Sequence, residues 1–160
     1  MSMPRLPADV FKTVVGATPL VSIDLICQRG DGCVLLGRRV NRPAQGFWFV
    51  PSGRILKNET LDDAFARLTC EELGTALPRN EARLLGVYEH FYEDSMFGPP
   101  GEAPNTHYVV IGYALSLPDG LRHQLPKQQH TAYRWQSPAD VLAASDVHAN
   151  TKAYFQKPET

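Results

Sequence analysis

The apolar positions change period several times along the chain. Val10, Phe11, Val14 and Val15 recur at helical spacing within Ala8–Val15 and stop at Gly16, which predicts a short helix capping the core. Leu20 to Cys27 (LVSIDLIC) is instead an aliphatic and β-branched run, followed by the polar RGDG at 29–32 and by CVLLGRR at 33–39. That order predicts a β-hairpin. Further strands are expected over 47–50 (FWFV), 82–92 (ARLLGVYEHFY), 106–117 (THYVVIGYALSL) and near Ala132–Trp135.

Helical spacing returns in Leu61–Leu73, where Leu61, Ala64, Phe65 and Leu68 form an apolar stripe that Glu72 prolongs by one turn. Thr60 is the expected N-cap, Asp62 and Asp63 favour the first turn, and Gly74 is the stop signal. Ser137 before Pro138 predicts a helix over 137–142, and a short one is expected within Val147–Phe155. The Gly/Pro-rich EDSMFGPPGEAPN between Glu93 and Asn105 reads as a loop. Strands and helices mix without regular βαβ alternation. The expected fold class is therefore α/β of the α+β mixed-sheet kind, one domain over 1–160, with helices on both faces.

The length of 160 residues suits one compact core, and 43% hydrophobic with 21% charged residues excludes a disordered chain. A net charge of −1 without a Lys/Arg block gives no field for nucleic acid, and no apolar run approaches a membrane span. Cys27, Cys33 and Cys70 are odd in number and fit no C-x-x-C frame, which suggests a reducing compartment. With no leader-like apolar segment at the start, the expected location is cytoplasmic.

The chemistry centres on ARLTCEELG, residues 66–74. Glu71 and Glu72 stand one helical turn beyond position 68, so a carboxylate there would complete a cluster, yet the residue is Leu68. Paired glutamates near a helix end are ordinarily solvated. Their frame argues for more: Gly53, Glu59, Arg67, Glu71, Glu72 and Gly74 stand in the order G-x5-E-x7-R-x3-E-E-x-G. This resembles the Nudix box, G-x5-E-x7-R-E-U-x-E-E-x-G-U with U aliphatic, a loop–helix–loop whose carboxylates hold Mg²⁺ against a diphosphate. Leu68, Thr69 and Thr75 depart from it. The GDP-mannose mannosyl hydrolases of the same superfamily lack that glutamate by rule and carry R-L-T there, as do Arg67-Leu68-Thr69. Segments 18–26, 35–54, 59–69, 90–94, 106–113, 129–135 and 144–150 also resemble this family, with Ser52 where it has glycine in P-G-G-R.

The resemblance implies a Nudix α/β/α sandwich and Mg²⁺-dependent hydrolysis of a nucleotide sugar, GDP-mannose or also GDP-glucose or GDP-fucose, by water attack at the anomeric carbon with inversion. Mn²⁺ is the alternative metal. It further implies a metal held by the Ser52 carbonyl, Glu72 and Gln129, with Glu71 in an outer shell or in solvent. His130 is the implied general base, an imidazole that titrates near neutrality. Arg39 and Arg54 match phosphate oxygens and would stabilise the leaving GDP, and Tyr108 would offer its phenol to the diphosphate. Asp24 interrupts an apolar strand, so its carboxylate wants a partner, and the family places it near substrate. His90, His107 and His148 are expected to be substrate-proximal or structural. A homodimer is the implied assembly. Two alternatives stay open: a Nudix pyrophosphohydrolase that cleaves at phosphorus, and a non-catalytic nucleotide-binding module.

Overall fold

The aliphatic runs become strands of one seven-stranded mixed sheet in the computed structural model, which describes residues 5–118 and 130–156. Strands β1 (Leu20–Gln28) and β2 (Val34–Arg39) make the expected hairpin. At its turn the Arg29 amide donates to the Cys33 carbonyl (3.0 Å), and Arg29 Nε donates to Asp31 (2.9 Å). The two strands pair only at Gln28–Val34 and splay apart from there. β3 (Trp48–Phe49) pairs with β2 and β4 (Ser52–Arg54) pairs with β1, so these short strands fill the wedge. β6 (Thr106–Ser116) runs parallel to β1, β5 (Arg83–Tyr92) lies antiparallel beyond it, and β7 (His130–Gln136) pairs with the other side of β2.

β4 is the strand that sequence reading missed. Ser52-Gly53-Arg54 has no β propensity, and it is extended because β1 offers it an edge. The Leu25 amide donates to the Pro51 carbonyl and the Ile55 amide to the Val21 carbonyl, both at 2.8 Å.

Helix α2 (Leu61–Leu73) has both predicted ends because its caps work as read. The Thr60 hydroxyl accepts from the Asp63 amide (3.0 Å), and Gly74, at φ 83°, donates to the Cys70 carbonyl (3.0 Å). Its buried Ala64, Phe65, Leu68 and Leu73 pack on Ile23, Leu25 and Cys27 of β1 and on Tyr113 and Leu115 of β6. The alternate β1 residue Ile26 faces the other way, toward Val34, Leu36, Val50, Val141 and Val147. α3 (Pro138–Ala143), capped by Ser137, supplies Val141, and α4 (Ala149–Lys152), within the expected Val147–Phe155 stretch, follows Val147. Helices thus cover both faces. Each fully buried large side chain contributes roughly 1.5–3 kcal/mol to this core.

α1 (Ala8–Ala17) differs from its expectation in extent and role. It continues through Gly16 to Ala17, and only Val15 of the predicted stripe is buried, with Val10 43% exposed. It therefore reaches the core through Val15 alone, and Phe11 finds its partners elsewhere, as described below. The 93–105 segment is a loop with isolated bridges. The three cysteines are free, and no helix among the described residues is long and apolar enough to cross a membrane.

Candidate active site

The box is built from α2 and the loop that precedes it. Arg67 donates from Nε to Glu59 Oε2 (2.7 Å) and from Nη2 to Glu59 Oε1 (2.8 Å), a bidentate pair that also accepts the Leu56 amide (2.7 Å). The same Nη2 donates to the Arg54 carbonyl (2.8 Å), while Nη1 donates to Glu71 (3.1 Å). Arg67 hydrogen bonding holds the Glu59 carboxyl below its ordinary pKa. One guanidinium therefore ties α2 to the 55–60 loop and to β4. Glu71 belongs to this brace.

Leu68 does not reach the site. It is 2% exposed within the α2 core, and a Cβ placed on Gly53 would overlap its Cδ2. Gly53 is required here by close approach of a side chain to the strand. Thr69 is also accounted for: its buried hydroxyl donates to the Phe65 carbonyl (2.9 Å) and accepts from the Leu77 amide (2.8 Å), pinning the segment after α2.

On the opposite face, where α3 and α4 lie, Asp24, Arg39, Ser52, Arg54 and Tyr108 line one cleft with His90 and Tyr92. Five of the eight residues expected in the site thus come together. β1, β4, β5 and β6 bring the others to Arg39 at the end of β2 by register: Asp24 stands opposite Ser52, Ser22 opposite Arg54, and His90 opposite Tyr108. Because the neighbouring Leu25–Pro51 bond fixes the antiparallel alternation, the Ser52 carbonyl points away from β1 into the wedge.

Both arginines rest on aromatic rings. The Arg39 guanidinium lies 3.8 Å from the Phe49 ring centre and donates to the Pro43 carbonyl (3.0 Å). Phe49 in turn stacks on His148 (4.8 Å), whose Nδ1 accepts the Asn150 amide (3.1 Å). Arg54 sits 4.6 Å over Phe11 of α1, which contacts Phe97 edge-on. Burial lowers the Arg54 pKa from its ordinary value. Burial likewise raises Tyr108, lifts Asp24 to about 6 and drops His90 to about 4, with Arg39 further disfavouring a charged His90. The cleft thus holds a neutral imidazole and a readily protonated carboxyl, both within the field of Arg39.

Glu72 is 3% exposed at the end of α2 and does not line this cleft. It lies on the α2 side, where its charge raises the pKa of Cys27 and of Tyr133, burial being the larger cause in both. Gln129 lies outside the described residues. His130 is described by its backbone alone, which stands in β7 opposite Arg39. Tyr92, lining the cleft, and Tyr154, whose hydroxyl donates to Asp24 (2.7 Å), escaped sequence reading. The demand of Asp24 for a partner was the available signal. A larger cavity of about 420 Å³, lined by Gln28, Leu77, Glu81, Arg83 and Pro118, contains none of the expected residues.

The family model described as the NUDIX domain matches residues 18–157. The chain belongs to the Nudix family. It is 44% identical over 115 residues to the low-salt glycan biosynthesis protein Agl8 of Haloferax volcanii, covering 72% of this chain and 70% of that one. It is 31% identical over 112 residues to an ADP-ribose pyrophosphatase of Methanocaldococcus jannaschii, covering 70% of this chain and 59% of that one. The solved MutT NUDIX hydrolase of Burkholderia pseudomallei matches 86% of this chain and 96% of its own at TM-score 0.65 and 27% identity. Nudix hydrolases generally use a divalent metal such as Mg²⁺ and act on small nucleotide substrates.

Proposed function

We propose that this Nudix protein, acting as a single domain, hydrolyses GDP-mannose to GDP and mannose by attack of water on the anomeric carbon. GDP-glucose and GDP-fucose, which differ by a few hydroxyl contacts, are the related substrates. The observation that carries the reading is the placement of Leu68. The turn that would carry a third box carboxylate is filled with hydrocarbon packed under Gly53, while phosphate-matching guanidiniums converge in the cleft. That division suits stabilisation of a departing diphosphate better than activation of water beside phosphorus. The name of the Agl8 relative, which concerns glycan biosynthesis, supports a sugar-bearing substrate.

The donor types of the implied set, a carbonyl, a carboxylate and an amide, suit a hard cation. The Ser52 carbonyl points into the wedge and Glu72 is a buried carboxylate; with Gln129 they would hold Mg²⁺ or Mn²⁺, the remaining positions going to phosphate and water. When bound, the metal supplies neutralisation of the diphosphate. Arg39 and Arg54 donate to the phosphate oxygens, held flat by Phe49 and Phe11, and the Tyr108 phenol adds a third donor. Asp24 presents a carboxylate at the sugar end. His130 takes one proton from water as its oxygen bonds to C1, and the C1–O bond breaks with its electrons passing to GDP. Attack opposite the leaving group inverts the anomeric centre, giving β-mannose from the α-linked substrate. A homodimer belongs to the same reading and is tested by light scattering.

A second reading keeps attack at phosphorus, supported by the ADP-ribose pyrophosphatase relative and by the two retained glutamates. Binding of Glu71 to Arg67 counts against it. Phosphorus NMR of the GDP-mannose reaction separates the two: GDP as the sole nucleotide product supports attack at carbon, and GMP with mannose 1-phosphate overturns it.

A further inference from the structure

We propose that Tyr154 is a positioning residue that fixes the Asp24 carboxylate for the reaction, an inference that rests on the function proposed above. The two residues are 130 positions apart, yet Tyr154 donates from its hydroxyl to Asp24 Oδ2 at 2.7 Å. Asp24 is 6% exposed and lines the cleft, and among the described residues its Oδ1 has no hydrogen-bond donor. Tyr154 therefore engages one carboxylate oxygen and leaves the other to the cleft.

The surroundings of the ring are shaped for this. Tyr154 lies against β6 at Gly112, where a Cβ would come within 2.8 Å of its Cε1, and meets Tyr88 edge-on at 4.6 Å. Its backbone is docked on the same face of the sheet as the cleft. Thr151, 1% exposed, accepts the Val50 amide through its hydroxyl (3.2 Å), and the Tyr154 amide donates to the Thr151 carbonyl (3.2 Å). The same segment begins at His148, which stacks on the Phe49 that carries Arg39. The end of the chain thus orients both an acid and an arginine of the cleft. A short carboxylate that loses its donor rotates among rotamers, and the productive orientation becomes a fraction of the population.

Tyr154→Phe deletes the donor and keeps the ring against Gly112 and Tyr88. Its kcat on GDP-mannose with Mg²⁺ is expected to fall at least tenfold with KM within threefold, and Gly112→Ala, which displaces the ring, reproduces the loss. Tyr88→Phe keeps wild-type kcat. In an Asp24→Asn background, Tyr154→Phe adds less than twofold, because the group it orients is already altered. Wild-type kcat in Tyr154→Phe, or a full tenfold loss added to that of Asp24→Asn, overturns the proposal. Product analysis separates it from the reading beneath it: GMP in place of GDP overturns attack at carbon, and the kcat ratio for that cleavage still decides Tyr154. A wild type that turns over no nucleotide sugar overturns both.

Discussion

The packing of Leu68 under Gly53 makes a quantitative claim about two positions that the box treats as functional. Leu68→Ala removes three carbons from a site that is 2% exposed, bounded by β4 above and Phe65 and Leu25 in the same core. Such truncations cost about 2–5 kcal/mol, depending on how far the surroundings collapse. Gly53→Ala acts from the other side: its Cβ overlaps Leu68 Cδ2, and relief by movement of β4 is opposed by the Leu25–Pro51, Ile55–Val21 and Arg67–Arg54 bonds. Overpacking of this kind costs about 1–3 kcal/mol. The double variant places the new methyl in the space the leucine vacated. Its loss is expected to be smaller than the sum of the single losses by at least about 1 kcal/mol. Urea unfolding followed by circular dichroism supplies the four free energies. Additive losses would refute the claim that Leu68 occupies the space above Gly53.

Three other outcomes follow from the same geometry. Leu68→Glu is expected to unfold at lower denaturant than Leu68→Ala, because it buries a charge in place of a hydrocarbon, and calorimetry should show no gain in Mg²⁺ affinity; a tighter metal site would contradict this. Arg39→Lys and Arg54→Lys each lose fork geometry and ring stacking, and steady-state kinetics should show kcat lower by roughly 10²–10³-fold, the scale of a lost donor to developing negative charge. For stability against pH, His90 has its folded pKa near 4 against 6.5, so the unfolded chain binds the extra proton between those values and acid weakens the fold. Asp24, near 6 against 3.8, has the opposite sign in almost the same window, so the two slopes largely cancel. Urea midpoints from pH 7 to 4 should therefore fall more steeply in Asp24→Asn than in wild type, and less steeply in His90→Gln.

How much of this was legible depends on whether the signal was local. α2 was read to the residue because Thr60 and Gly74 act within one turn of its ends. The box put Glu59 and Arg67 in one frame, whereas their bidentate pairing and the second and third partners of Arg67, Glu71 and the Arg54 carbonyl, needed the fold. β4 was illegible because its extension comes from pairing with β1, and α1 was misread because an apolar stripe does not say whether a ring meets the core or a guanidinium. Asp24 announced a missing partner but gave no hint that it lay 130 residues away.

The most direct test of the account is hydrolysis of GDP-mannose with Mg²⁺ in ¹⁸O-labelled water, with mass analysis of both products. Attack at the anomeric carbon predicts label in mannose and unlabelled GDP. Label in GMP or in mannose 1-phosphate would contradict it.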